Sequence, residues 1–383
     1  MTGAGLHALR AAADARVASC LGLLEGLVRL ESPSGDEEGI VPLAARLGDE
    51  LTRRGAAVQS VPAPGHGAHL IARVEGEGRG DCPLLVIGHM DTVHLAGTLA
   101  RLPFAVDGDR VRGPGAYDMK GGLAVALAAL DLLAAQGMRP AHDLVFVVTC
   151  DEEIGSHTSR ALLEEQARGA AGALVLEPCI PGGAAKTRRK GVGGFRVEVR
   201  GRAAHAGIEP EAGASAIHEL LRVLERGRWL ADLGRGTTLN VGVIEGGTRA
   251  NVVAEHARAE VDLRFWTADE AERVAHGLRS LAVEDRGCVL TIAGGVNRGA
   301  LERTDASIRL FKTAQEVAAT QGWRLEEGAT GGASDGNLVS AVGCPTLDGL
   351  GPDGGGAHSL DEHVRLSDIA PRIALLAGLF ARI

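Results

Sequence analysis

Three short apolar segments of this chain each end in acidic residues or in histidine. Uninterrupted apolar runs of this length are typical of buried strands, and ligands usually bind at the carboxyl ends of strands in an open α/β sheet. Consecutive acids at such a strand end are costly unless a cation compensates them. The pattern therefore predicts a cation site at one edge of a buried sheet. The segments are residues 84–87 before His89 and Asp91, 144–149 before residues 151–153, and 173–176 before Glu177.

The patterning of the chain predicts two domains, and 383 residues exceed one ordinary hydrophobic core. Helical and strand patterns over residues 1–186 and 299–383 predict an α/β domain with a mixed sheet and flanking helices. Between them, short segments alternate apolar and polar residues with a period of two, which is typical of half-buried antiparallel strands. We therefore predict that residues 187–298 form an inserted α+β domain.

Two local patterns give further expectations. Residues 6–30 carry apolar residues at helical spacing and are predicted to form one helix that ends before Ser32. The basic run at residues 186–190 is expected to be a solvated hinge, with contact to an anionic substrate as the alternative.

Charge and composition exclude several classes of function. A net charge of -9 argues against general nucleic-acid binding. The six cysteines contain no C-x-x-C pair and are predicted to be reduced thiols. No segment approaches the ~20 uncharged apolar residues that cross a membrane. We expect a cytoplasmic protein that binds neither nucleic acid nor membrane.

Five residues supply the ligand types and number that a two-zinc site needs. Zinc binds imidazole nitrogen and carboxylate oxygen, and paired zinc ions share a bridging ligand. Asp118 is predicted to bridge, although a structural helix cap is the alternative for this residue alone. His89 and Glu177 would complete one metal, and Glu153 and His358 the other. Cobalt or manganese would suit the same ligands.

Two more acids have predicted roles beside the metals. Glu152 follows Asp151 and precedes a ligand, and we expect it to be the general base that takes a proton from water. Asp91 is expected to accept a hydrogen bond from His89 and so fix the tautomer of the ring.

Residues 88–93, 115–122, 151–155 and 177–178 resemble, in order and spacing, the signatures of the di-zinc aminoacylase/carboxypeptidase family, peptidase family M twenty. Within that family the chain resembles the bacterial glutamate carboxypeptidases of the carboxypeptidase G type most. The resemblance implies a catalytic domain interrupted by a lid that also forms a homodimer. It also implies a cis peptide bond after Asp118.

The same resemblance implies roles for four residues of the inserted domain. His205 would reach the active site of the partner subunit and stabilise an oxyanion. Asn251, Arg264 and Arg298 would bind the carboxylate of the substrate, since a guanidinium suits a bidentate carboxylate contact.

These expectations favour hydrolysis of a peptide or N-acyl bond next to a free carboxylate, with a small peptide or N-acyl amino acid as substrate. The alternative within enzymes is a deacylase of the acetylornithine or succinyl-diaminopimelate type. A third hypothesis, from a different class, is an inactive relative that only binds its ligand.

Overall fold

The computed structural model describes residues 3–78, 80 and 82–383, with side chains from residue 9 onward. Its helices are α1 (Gly3–Asp14), α2 (Val17–Val28), α3 (Glu37–Arg53), α4 (Gly121–Ala135), α5 (Arg160–Ala167), α6 (Ala216–Gly227), α7 (Ala268–Arg279), α8 (Asp305–Thr320), α9 (Asp335–Ala341) and α10 (Leu366–Phe380). Its longer strands are β1 (Ala57–Ala63), β2 (Gly67–Val74), β3 (Leu84–His89), β6 (Leu144–Thr149), β7 (Gly172–Val175), β8 (Ala185–Arg189), β9 (Gly191–Arg200), β10 (Thr238–Gly246), β11 (His256–Phe265), β12 (Val289–Arg298) and β13 (Glu327–Thr330). The short strands are β4 (Ala105–Asp107), β5 (Arg110–Arg112), β14 (Thr346–Leu347), β15 (Gly354–Gly355) and β16 (His363–Arg365).

The chain divides into two compact units. The first contains the described residues up to 188 together with residues 303–330 and 334–383, and the second contains residues 189–302 and 331–333.

A mixed sheet with the order β1-β2-β6-β3-β7-β14 forms the centre of the first unit. Strand β3 runs parallel to both β6 and β7, whereas β2 is antiparallel to β6 and to β1. Every residue of β3 and of β6 is buried. The α/β fold with a mixed sheet, predicted from the apolar runs, is confirmed. Because β6, β3 and β7 are parallel neighbours, their carboxyl ends lie along one edge of the sheet.

Helix α4 packs against α10 and shares one hydrophobic core with this sheet. It begins with Gly121 and Gly122, and a Cβ atom on Gly122 would lie 2.0 Å from the carbonyl oxygen of Leu176. Both partners of that contact are backbone, so no side chain can move away. Glycine is required here because it lets the start of α4 approach the end of β7.

Replacing Gly122 with alanine is expected to destabilise the first unit by about 1–3 kcal/mol, as overpacking does. The matched control is Gly22 in α2, where an added Cβ would meet nothing within 4 Å. Gly22→Ala should stabilise by roughly 0.5–1 kcal/mol, because alanine loses less conformational entropy in a helix. Urea unfolding of both variants measures the difference. Equal free energies of unfolding would contradict the close approach at Gly122.

The second unit is an antiparallel sheet with the order β10-β11-β9-β12. Its core is formed by alternate side chains of β9 and β11 together with the apolar faces of α6 and α7. Strand β12 was not anticipated, because Gly294 and Gly295 lie in its middle and the alternation of exposed and half-buried residues is interrupted there. Strands β10 and β12 are the two edges of the sheet.

Two local expectations were wrong. Residues 6–30 do not form one helix, because a turn at residues 14–16 separates α1 from α2, and the amide of Arg16 bonds the carbonyl of Ala13 at 2.9 Å. The basic run at residues 186–190 is not a solvated hinge. It lies largely in β8, where Thr187 and Arg189 are 2% and 3% exposed and donate to Glu327 and to the carbonyl of Ala333.

The cysteines are all unpaired, and five of the six are buried, Cys82 being the exposed one. Within the part of the chain that the structure describes, no helix combines the length and the apolar character needed to cross a bilayer.

Candidate metal centre

The predicted metal ligands of the first unit lie where the parallel strands end. His89 is the last residue of β3, Glu153 follows the end of β6, and Glu177 follows β7. Asp118 lies in the loop before α4, and its peptide bond to Met119 is cis, as the resemblance implies. Its extended backbone and the start of α4 at Gly121 mean that the Asp118 carboxylate caps no helix. The structural alternative for Asp118 was therefore wrong.

Asp118 lies between the two histidines and presents one carboxylate oxygen to each. Its Oδ1 is 3.3 Å from Nε2 of His89, and its Oδ2 is 3.5 Å from Nε2 of His358. Nε2 of His89 is also 3.4 Å from Oε1 of Glu177, and Nε2 of His358 is 3.3 Å from Oε2 of Glu153. The five side chains thus form two groups that share Asp118.

The spacing of these atoms fits a tetrahedral cation. Zinc bonds of about 2.0–2.2 Å require neighbouring ligand atoms to be about 3.3–3.6 Å apart. Among the described residues, Nε2 of His89, Oδ1 of Asp118 and Oε1 of Glu153 are buried and have no hydrogen-bond partner of good geometry. Ligand atoms of these three residues lie within 4.8 Å of one another. Buried polar atoms without partners are rare and costly, and a bound cation would satisfy them.

The tautomer of His89 leaves the nitrogen that faces the acids free to coordinate. Its Nδ1 is 2.9 Å from the backbone carbonyl of Asp91 and 3.5 Å from the Asp91 carboxylate. A carbonyl can only accept, so Nδ1 carries a proton, and loss of the second proton would leave the lone pair of Nε2 facing the acids. The nearest acceptor is thus the main chain of Asp91 rather than the carboxylate that was expected.

The charges around the site favour a cation. Burial lowers the pKa of His89, but contacts with Asp118, Asp91 and Glu177 outweigh this effect and raise that pKa well above its ordinary value. Asp118 and Glu153 raise the pKa of His358 to about 10. Burial raises the pKa of Glu153. In the absence of metal the rings hold protons against this negative charge, and a divalent cation takes the place of those protons.

The Asp91 carboxylate positions the acidic segment that follows β6. Its Oδ1 accepts from the amide of Glu152 and its Oδ2 from the amide of Glu153, each at 3.2 Å. The hydroxyl of Ser34 donates to the same carboxylate at 2.6 Å. Asp91 is fully buried and Glu152 is 7% exposed. One carboxylate therefore orients both the predicted base and a predicted ligand.

The second unit carries the other residues expected from the resemblance. Arg264 and Arg298 are both in register with Val192, from the strands on either side of β9, so their side chains project from one face of the sheet. Arg264 donates to Asp262 at 2.9 Å, and Arg298 is 7% exposed. His205 is exposed and pairs through its backbone with Val252, beside the exposed Asn251.

Several buried acids around the site were not predicted. Glu362 accepts from the loop of Asp118, and Asp151 accepts from Thr158 and Ser159 in the segment that follows Glu153. Asp335 accepts from Ser156 at 2.5 Å and from Thr149 at 2.8 Å. Asp151 begins an acidic stretch, and Asp335 and Glu362 each follow a run of glycines. Nothing in the spacing of these acids indicates which of them are buried.

Comparisons with known proteins agree with this architecture. Residues 85–382 match the family model described as peptidase family M20/M25/M40. The chain is 32% identical over 369 residues to carboxypeptidase G2 of Pseudomonas sp. (strain RS-16), covering 93% of this chain and 87% of that protein. It is 29% identical over 376 residues to succinyl-diaminopimelate desuccinylase of Delftia acidovorans, covering 92% and 94%. The crystal structure of aminopeptidase PepT from Bacillus cereus is similar in fold, with a TM-score of 0.81, 23% identity and coverage of 94% and 97%.

A mixed α/β fold that gathers histidines and acids at its strand ends defines the class of metal-dependent amide hydrolases. The family model covers most of this chain, and the match to carboxypeptidase G2 covers 93% of it. The chain belongs to peptidase family M20/M25/M40.

Proposed function

We propose that this protein is a di-zinc hydrolase that cleaves a peptide or N-acyl bond next to a free carboxylate, in the manner of a glutamate carboxypeptidase. The observation that carries the proposal is the position of Asp118, which offers one oxygen to each histidine. His89, Asp118 and Glu177 would hold one cation at what we name the inner metal position. Asp118, Glu153 and His358 would hold the other at the outer metal position, where His358 is 53% exposed.

Bound zinc ions would supply a Lewis acid for the scissile carbonyl and lower the pKa of a water molecule. Cobalt or manganese would serve the same ligands. The protein supplies the proton transfer: Glu152 accepts a proton from the attacking water as the carbon–oxygen bond forms. It then donates that proton to the leaving nitrogen as the carbon–nitrogen bond breaks. The Asp91 carboxylate fixes the position of Glu152 and Glu153 by accepting hydrogen bonds from their backbone amides.

The second unit supports recognition of a carboxylate in this proposal. Arg264 and Arg298 project from one face of the sheet, and such guanidinium groups bind carboxylates bidentately. Asn251 would add an amide donor, and His205 of the partner subunit would stabilise the tetrahedral oxyanion. Residues 187–298 would act as a lid and as the dimerisation domain.

A substrate panel tests the proposed activity. N-acyl glutamates and dipeptides that end in glutamate should be hydrolysed with zinc present. Their α-carboxamide analogues should have a kcat/KM at least about 100-fold lower, because an amide cannot form the charged bidentate contact with a guanidinium group that a carboxylate forms. Chelation should abolish turnover and zinc should restore it. Equal kcat/KM for acids and amides would contradict recognition of the free carboxylate.

A deacylase is the second candidate function, because the match to a succinyl-diaminopimelate desuccinylase covers nearly the whole chain. Including N-acetylornithine and N-succinyl-diaminopimelate in the panel separates the two, since the higher kcat/KM identifies the substrate class. Absence of turnover on the whole panel, with metals bound, would favour the inactive binding relative.

The homodimer is proposed to form through the β10 edge of the second unit. Val241, Val243 and Ile244 on this edge strand are 40%, 47% and 54% exposed, and an unpaired edge with apolar side chains favours pairing with a second copy. The neighbouring Trp229 and Leu233 add exposed apolar surface, at 73% and 80%.

Replacing Ile244 with lysine is expected to raise the dimer Kd at least about 30-fold, because a buried unpaired charge costs about 2–5 kcal/mol. The control is Val289→Lys on β12, the opposite edge, where the side chain is 64% exposed. Sedimentation velocity measures both. A monomeric wild-type protein, or equal dissociation by the two variants, would place the interface elsewhere.

The predicted cytoplasmic location is part of the same proposal, and it is supported by six unpaired thiols. Fractionation of the source cells tests it. Recovery of the protein from an extracytoplasmic fraction would contradict it.

A further inference from the structure

We propose that Glu362 is a positioning residue of the metal centre, whose buried carboxylate ties the loop of Asp118 to the segment that carries His358. This inference rests on the proposed function, because it assigns the role through the metal ligands. Glu362 lies four residues after His358 and is 1% exposed.

The Glu362 carboxylate accepts hydrogen bonds from three backbone amides of the loop that contains Asp118. Its Oε1 accepts from the amides of Tyr117 and Asp118, each at 2.9 Å. Its Oε2 accepts from the amide of Gly115 at 3.1 Å. Three converging N–H groups form a concave anion site of the kind that backbone nests provide. The position of the Asp118 main chain is therefore set by a side chain distant in sequence.

The surroundings of the Glu362 carboxylate are tightly packed at Gly115 and at His94. Gly115 has a φ of +71°, a backbone conformation that side chains rarely adopt, and a Cβ atom there would lie 2.6 Å from Cγ2 of Thr92. On the other side, Nε2 of His94 is 2.5 Å from Oε2 of Glu362. Oε1 of Glu362 is therefore bonded by the Asp118 loop alone, whereas Oε2 has partners in that loop and in the segment of His94.

The charge of Glu362 is also compensated from within the loop. Lys120 is 1% exposed and donates to the carbonyl of Leu30 at 2.9 Å. The Lys120 ammonium is close enough to the Glu362 carboxylate for their opposite charges to attract each other. The negative charge of Glu362 is therefore compensated inside the protein by an ammonium and by three amide donors.

The geometry makes the outer metal position depend on Glu362 more than the inner one. At the outer position, Asp118 and His358 come from the two segments that Glu362 joins. At the inner position Asp118 is shared, but the other two ligands, His89 and Glu177, come from the ends of β3 and β7, which pair with each other. Loss of the Glu362 contacts would let Asp118 and His358 move apart while the strand ends stay in place.

Glu362→Gln is the direct test. An amide group in place of the carboxylate sets an NH2 group against the amide of Gly115 or, if it is flipped, against the amides of Tyr117 and Asp118. At least one loop N–H then loses its acceptor in either orientation. The matched control is Asp361→Asn, because Asp361 is a neighbouring exposed acid that contacts Arg110 at 3.3 Å.

Metal-free proteins would be titrated with cobalt(II). The d–d absorption of the bound ion and the heat of binding would measure each binding step. For Glu362→Gln we expect the first cobalt equivalent to bind as in wild type and the second to bind about 10–100-fold more weakly, the usual effect of losing an outer hydrogen bond. Asp361→Asn should bind both equivalents as wild type does. Thermal unfolding of the metal-free proteins, recorded alongside, measures any general loss of stability.

His94→Leu is the second variant, should Glu362→Gln fail to fold. It should leave the first cobalt equivalent unchanged and weaken the second by less than the about 10–100-fold expected for Glu362→Gln, because the three amide contacts remain. Equal weakening of both equivalents, or wild-type affinity in both variants, would overturn the positioning role. A wild-type protein that binds fewer than two cobalt equivalents would instead count against the proposed function.

Discussion

Replacing Glu152 with glutamine is expected to lower kcat by about 10²–10⁴-fold, the usual contribution of a general base, while both metals stay bound. Glutamine has nearly the same shape but cannot accept the proton of the attacking water. The Glu152 amide that bonds Asp91 at 3.2 Å is unchanged, so the adjacent Glu153 should stay in place. Steady-state kinetics and metal content per chain, measured on the same preparation, give the two quantities.

The control for this substitution is Glu165→Gln on the exposed surface of α5, which should leave kcat unchanged. A Glu152→Gln variant with kcat within threefold of wild type would remove the assignment of the base. Loss of a metal equivalent together with turnover would make Glu152 a ligand instead.

Replacing Asp118 with asparagine is expected to lower the affinity for metal at both positions, by at least about 10³-fold at one of them. This exceeds the 10–100-fold effect of losing an outer hydrogen bond, because a shared ligand is removed. Asparagine keeps a single carbonyl oxygen, so it can face His89 or His358 but cannot offer an oxygen to each. Turnover should fall with the metals.

Thermal unfolding with and without zinc checks this second prediction. The stability that wild type gains with zinc should rise with the logarithm of zinc concentration over Kd, and Asp118→Asn should gain much less. Asp107→Asn, at an exposed acid of β4, is the control. An Asp118→Asn variant that is stabilised by zinc as much as wild type would contradict the bridging role.

The sequence was informative about this site where periodicity and burial act together. Apolar runs at residues 84–87, 144–149 and 173–176 require buried parallel strands, and parallel strands bring their ends to one edge. His89, Glu153 and Glu177 could therefore be expected near one another before any coordinates. Asp118 and His358 were predicted from the number and type of ligands that two zinc ions need, and they lie in loops whose path no periodicity describes.

Other features depend on contacts between distant segments, and such contacts leave no local pattern. Glu362 resembles any surface acid in sequence, and its burial follows from how the segment after His358 folds onto the Asp118 loop. The short strands β4, β5, β15 and β16 are too brief for an alternation to be recognised. Similarly, β12 contains two adjacent glycines, so its pairing with β9 becomes evident only in the sheet.

The exposure of Cys82 offers a practical route to observing metal uptake. This thiol lies just before β3, whereas His89 ends the same strand, and a strand of that length spans about 20 Å. A maleimide fluorophore would react there in preference to the five buried thiols. Cobalt absorbs visible light, so arrival of the ion would quench the dye by energy transfer, and loading could be timed in a stopped-flow instrument without any substrate.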